Sequence, residues 1–119
     1  MIKKIVFFPD YSPVTGNGHL NRLISFADQV KDTFEIEFIF LSNLIKDFPY
    51  KYFVITKSNT LNEEIESIAA RLNENECALV LDGYRFTLEY QKELKEKINI
   101  KLIYIDDFAG DQLFADIVI

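Results

Sequence analysis

Tryptophan is absent from this chain, cysteine, methionine and histidine occur once each, and glycine and proline number only 4 and 3. Each scarcity excludes something. A lone Cys77 cannot close an internal disulfide, and it has no second thiol with which to build a zinc site. So little glycine and proline rules out collagen-like and low-complexity chains, and it makes each glycine informative. Basic residues are also in deficit: 13 Lys and Arg against 19 Asp and Glu leave a net charge of −6 and a pI near 4.7. Free binding to nucleic acid or to an anionic membrane needs a basic surface, so neither is expected. No apolar run approaches the roughly 18–20 residues that span a bilayer. Lys3 and Lys4 do precede an apolar stretch, but residues 5–8 are too few for a secretory core and stop at Pro9. A cytoplasmic protein is therefore the expectation.

What is present fits one globular domain. The 119 residues are 49% apolar and 27% charged, close to the averages of folded domains. Two periods alternate along the chain. Residues 2–8 form a short β-rich run ending at Pro9-Asp10. Leu20, Leu23, Ile24, Ala27 and Val30 then recur at the spacing of one helix face. Residues 36–41 predict a second strand and 52–55 a shorter third. Leu61, Ile65, Ile68, Ala69 and Leu72 mark another helix, with Thr60 and Glu63 as its capping pair. Residues 78–81 predict a fourth strand, 87–97 a helix, 100–105 a fifth strand and 117–119 a sixth. Strands alternating with helices predict right-handed βαβ units. The expected fold is α/β: a Rossmann-like open parallel sheet of about six strands with helices on both faces, one domain over residues 1–119. A chain closing inside an apolar β-rich run suggests a domain of a longer protein, or an edge completed by a partner.

The unusual residues collect at predicted strand ends. Gly16 and Gly18 follow the first strand, Gly83 the fourth and Gly110 the fifth, and Asp10, Asp82, Asp106 and Asp107 stand at the same ends. In an open parallel sheet those ends form one rim, where ligands bind. Loops after strands also need glycine and aspartate for turns and caps alone. The single histidine, within Gly16-Asn17-Gly18-His19-Leu20-Asn21-Arg22, favours a site. This turn is not a dinucleotide fingerprint, because Asn21 stands where the third glycine belongs and Ser42-Asn43 where the ribose-binding acid belongs. Nor is it a P-loop, lacking Gly-Lys-Ser/Thr.

The turn does set His19 at a helix N-terminus, whose positive end disfavours imidazolium. An uncharged imidazole in a glycine-walled cleft can take a proton from water or a hydroxyl, as a general base does. The alternative is a capping or surface histidine. Asp106-Asp107 could hold a divalent metal with Asp10 and Asp82, as in a phosphoacceptor receiver domain. Such a domain needs an acidic pair after the first strand, where Asp10 is single, and a lysine near the fifth, which Lys101 begins instead of following. No metal is expected. Tyr84 could orient a sugar hydroxyl or an attacking water, or pack under its loop. Phe7, Phe8, Phe38, Phe40, Phe53 and Cys77 read as core.

Taken in order, Asp10-Tyr11-Ser12, Gly16-Asn17-Gly18-His19 with Arg22, Asp82-Gly83-Tyr84 with Tyr90, Ile105-Asp106-Asp107 and Ala115-Asp116-Ile117-Val118-Ile119 resemble one enzyme group. It is the PseG family of nucleotide-sugar hydrolases of pseudaminic acid biosynthesis, with the related SpsG spore-coat polysaccharide proteins. These are similar in fold to the MurG-like glycosyltransferases of the GT-B class. The resemblance covers nearly the whole chain and implies the N-terminal half of a two-domain enzyme of surface-polysaccharide or flagellar glycan synthesis. It implies a metal-independent, cofactor-free hydrolase, or a related glycosyltransferase, that removes UDP from a UDP-activated amino-deoxy sugar. His19 would activate the attacking water. Asp10, Gly16, Gly18, Arg22, Tyr84 and Asp107 would shape or line the substrate pocket. The nucleotide site would belong to a C-terminal domain absent from these residues. Phe8 and Gly83 depart from the family, which carries arginine and histidine there; both changes are expected to remove polar groups from the pocket and to favour a different sugar. The alternative is a non-catalytic subunit of a split GT-B glycosyltransferase, pairing with a separate nucleotide-binding protein.

Overall fold

The computed structural model describes residues 2–11, 18–42, 47–55, 60–72, 76–105 and 117–118. The apolar run at the start becomes β1 (Lys4–Pro9), whose side chains from Ile5 to Phe8 are all buried. Its residues alternate between two separate clusters. Val6 and Phe8 join one, with Ile65 and Ile68 of α2 (Leu61–Ala69) and Leu94 of α3 (Leu88–Lys97). Ile5 and Phe7 join the other, with Leu20, Leu23 and Ala27 of α1 (Gly18–Val30). A strand buried on both sides has no polar alternation to show, which is why β1 reads as a continuous apolar run. Each buried phenylalanine contributes about 1.5–3 kcal/mol through burial.

β2 (Glu35–Phe40), β3 (Lys51–Val54), β4 (Cys77–Asp82) and β5 (Lys101–Ile105) complete the sheet's full strands. The five pair in parallel in the order β3-β2-β1-β4-β5. The expected sixth strand reduces to a two-residue segment, β6 (Ile117–Val118), whose backbone pairs with Ile103 and Tyr104. A parallel sheet of five full strands with three helices is thus the architecture among the described residues, in place of about six strands. Phe7, Phe8, Phe38, Phe40, Phe53 and Cys77 are buried, as their patterning requires.

The helices start where the capping residues put them. Thr60 Oγ1 accepts the Glu63 amide at 3.2 Å, and Thr87 Oγ1 accepts the Tyr90 amide at 3.2 Å. Each satisfies one amide that the helix itself leaves unbonded. Lys95 and Lys97 in the last turn of α3 complement its negative end.

The strand order sets where a site can form. After β1 the chain winds towards β3, and from β4 it winds the opposite way to β5. β1 and β4 therefore lie side by side with their carboxyl ends at the switch point of the sheet, where open α/β sheets form a crevice.

Candidate functional site

Two turns leave the sheet at that switch point. Pro9 is in register with Asp82, and the Asp10 amide donates to the Asp82 carbonyl at 2.7 Å, so the two strand ends are locked together. α1 then begins at Gly18 and carries His19 and Arg22 one turn apart on the same face.

Both side chains converge on Asp82, which is 0% exposed. Arg22 Nε donates to Asp82 Oδ2 at 2.6 Å, and Arg22 Nη2 donates to Oδ1. This is a two-pronged guanidinium–carboxylate pair, the geometry that best compensates a buried carboxylate. His19 Nδ1 lies 2.9 Å from Asp82 Oδ1 and 3.4 Å from Arg22 Nη2. Arginine can only donate and an ionised carboxylate can only accept. The shorter contact therefore assigns a proton to Nδ1, donating to Asp82; in the neutral ring this leaves Nε2 as the acceptor nitrogen. The imidazole is partly exposed, at 18% of its side chain. A buried carboxylate that fixes a histidine's tautomer and orientation, with the second ring nitrogen able to accept, is the arrangement of a general base.

Asp82 is thus the residue that sequence reasoning placed on the rim and weighed only as a possible metal ligand. Both of its oxygens are engaged, Oδ2 by Arg22 and Oδ1 by Arg22 and His19. Among the described residues no group of three or more His, Cys, Asp or Glu side chains is arranged to hold a metal ion.

Tyr84 stands next in the turn. Its ring is 61% exposed and meets the His19 ring edge-on, with centroids 5.6 Å apart and planes at 84°. Asp10 lies under the same turn, where Oδ2 accepts the Arg85 amide at 3.4 Å. The structure therefore brings His19, Arg22, Tyr84 and Asp10 to one place. Gly18 opens α1 there, and a Cβ on it would meet nothing within 4 Å, so sterics do not demand glycine at that position. Gly16 and Asp107 lie outside the described residues, as do Asp106 and Gly110.

The two departures from the resembled family have a different meaning from the one expected. Phe8 does not face the rim: it is fully buried and packs edge-on against Phe86 with centroids 4.9 Å apart. Gly83 adopts φ +137°, and a Cβ there would stand 2.0 Å from the Asp10 Cβ. The turn is built around glycine, and a histidine at 83 would not fit it. In this chain both positions are accounted for by local packing, Phe8 in the core and Gly83 at the close approach to Asp10.

An open groove of about 390 Å³ runs beside α1, lined by Arg22, Ser25, Phe26, Gln29 and Ile105. It adjoins the site through Arg22. On the opposite side of the turn, Glu64 accepts from Arg85 Nη2 at 2.6 Å and from the Tyr90 hydroxyl. Burial, the Glu64 charge and that hydrogen bond all push the Tyr90 phenol above its ordinary value. Burial lowers the Arg85 value but the bond and charge of Glu64 outweigh it, so the net shift is upward. Sequence reasoning missed this cluster, although Glu64 falls three residues after Leu61 and four before Ile68, on the apolar stripe of α2.

No protein-family model matches the chain, and no curated protein matches it. Among solved structures it is similar to that of a "putative lipoprotein from Peptoclostridium difficile 630 (fragment)", with a TM-score of 0.57 at 16% sequence identity. The match covers 98% of this chain and 82% of the other. At that identity the likeness supports the α/β fold and carries nothing about chemistry. Among the described residues no helix is long and apolar enough to cross a membrane.

Proposed function

We propose that this chain is the acceptor-side domain of a UDP-sugar hydrolase, or a closely related glycosyltransferase, with His19 as its general base. The observation that supports this reading most directly is the hydrogen bond from His19 Nδ1 to the buried Asp82 carboxylate, at the sheet's switch point. Water bound at Nε2 would lose a proton to that nitrogen as its oxygen attacks the anomeric carbon. The bond from that carbon to the UDP oxygen breaks, and UDP leaves as the anion. Arg22 holds Asp82 so that the imidazolium formed in the step faces a fixed carboxylate. Tyr84, exposed and edge-on to His19, orients the water or a sugar hydroxyl. Asp10 and Gly18 stand beside this group, where they would shape the surrounding pocket.

The finer reading of the fold belongs with this proposal: a Rossmann-like N-terminal domain of a GT-B enzyme, helices on both faces, paired with a second nucleotide-binding domain. No cofactor enters the step. A cytoplasmic location suits a UDP-activated amino-deoxy sugar as substrate, in surface-polysaccharide or flagellar glycan synthesis.

The test uses the protein of the full reading frame, incubated with UDP-amino-sugars while UDP release is followed. His19→Ala is expected to lower turnover about 10²–10⁴-fold, the range of general-base catalysis. Wild-type turnover in that variant would overturn the assignment.

A further inference from the structure

The Glu64–Arg85–Tyr90 cluster is a costly way to join two helices. Glu64 is 4% exposed, on the apolar face of α2. The Arg85 guanidinium lies among three rings, 5.3 Å from the centroid of Phe8, 5.2 Å from Phe86 and 5.4 Å from Tyr90. Arg85 Nη1 and Gln91 Oε1 are buried with no hydrogen-bond partner. Well-packed apolar side chains would tie α2 to α3 at least as strongly as a buried ion pair. What an ion pair adds is direction: a guanidinium gripped by a carboxylate holds its own backbone in one place.

That backbone belongs to the turn beside His19. Arg85 follows Tyr84 directly, and its amide donates to Asp10 Oδ2. Gly83, on the other side of Tyr84, is pressed against the Asp10 Cβ. The Phe86 amide closes the turn on the Gly83 carbonyl at 3.4 Å, and Gln91 Nε2 donates to the Phe86 carbonyl at 3.1 Å. Both neighbours of Tyr84 are therefore fixed from below, while its ring takes its position from the turn and meets His19 at the mouth of the site.

We propose that Glu64, Arg85 and Tyr90 are positioning residues for Tyr84, setting its ring against His19 so that the exposed phenol presents one orientation to substrate. The catalytic half of this statement rests on the reading of His19 as base; the structural half does not. Removing Arg85 alone would strand a buried carboxylate, so the informative variant is Glu64→Gln combined with Arg85→Met, which removes both charges and keeps the volume. In the wild-type chain, NMR is expected to show a ring-to-ring cross-peak between His19 and Tyr84 and an Nδ1-protonated imidazole. In the double variant the fold and the imidazole signature should persist, the cross-peak should disappear, and KM for the UDP-sugar should rise about tenfold. Tyr84→Phe added to that background causes no further loss. If the double variant does not fold, Tyr90→Phe, which keeps the ion pair, is expected to weaken the cross-peak instead. A cross-peak of wild-type intensity in the folded variant examined overturns the proposal, as does an unchanged KM in the double variant. Should the wild-type protein release no UDP from any sugar, the hydrolase reading fails by itself and the cross-peak still decides this one.

Discussion

Gly83→Ala tests the geometry on which the site depends. At φ +137° an L side chain is strained, at about 1–3 kcal/mol for such backbone outliers. The new methyl carbon would also stand 2.0 Å from the Asp10 Cβ, so the β1 and β4 ends must separate to admit it. Overpacking of this kind costs about 1–3 kcal/mol. Alanine restricts the unfolded chain and returns roughly 0.4–1 kcal/mol. The net loss is about 1–6 kcal/mol, centred near 3, a large share of the ~5–15 kcal/mol that holds a domain together. Urea unfolding followed by circular dichroism measures it, and Asp10→Gly separates the two contributions. Removing the Asp10 side chain relieves the overlap and leaves the backbone strain, so the pair should show a coupling of at least about 1 kcal/mol. If Gly83→Ala unfolds within about 1 kcal/mol of wild type, the close approach of the two strand ends is wrong. The placement of Tyr84 against His19 falls with it.

Two further outcomes follow from the same contacts. Asp82→Asn replaces an obligate acceptor with an amide that can also donate, so the His19 tautomer is no longer imposed. UDP release is expected to fall by about 10³–10⁴-fold, as when comparable histidine–carboxylate pairs are neutralised, and nitrogen-15 spectra of His19 should show Nδ1 losing its proton. Tyr90→Phe is expected to flatten the alkaline limb of the stability profile. The folded-state value of Tyr90 is raised, so its contribution is complete below the ordinary tyrosine value near 10 and declines above it. One proton corresponds to about 1.4 kcal/mol per pH unit. Urea titrations between pH 9 and 11 should show a slope difference in the variant that averages about half that amount and approaches it towards pH 11.

Much of the fold was legible because local chemistry and long-range packing agree. The 3.6 period of Leu20, Leu23 and Ala27 and the capping threonines at 60 and 87 fix elements through neighbours a few residues away. Strand limits differ from the expected ones by one or two residues, since ladder hydrogen bonds include polar ends such as Glu35 and Lys51 that apolar patterning passes over. The site was legible in its ingredients and not in its wiring. His19 and Arg22 stood out by type and position, yet their partner Asp82 is 63 residues from His19, and only the juxtaposition of β1 and β4 joins them. The helix terminus was expected to govern the His19 ring by itself; a buried carboxylate orients it as well. Glu64 and Arg85 escaped notice for a similar reason, being 21 residues apart and brought together by the packing of α2 against the β4 end.

β1 lies in the middle of the sheet and is made before both strands that flank it, with Phe7 paired to both Phe38 and Val80. During synthesis β2 can cover one flank of β1 early, but the other flank waits for β4. At about 5–20 residues per second that wait lasts roughly 2–8 s, ample time for an apolar strand edge to capture a strand of another nascent chain. The flanks of the run fit such a hazard: Lys3 and Lys4 place charge at its entrance, and Pro9, without an amide hydrogen, blunts its exit. Replacing these three side chains with uncharged, strand-forming ones would leave the finished backbone ladder largely as it is. It would raise the fraction lost to inclusion bodies, a cost borne before the fold exists.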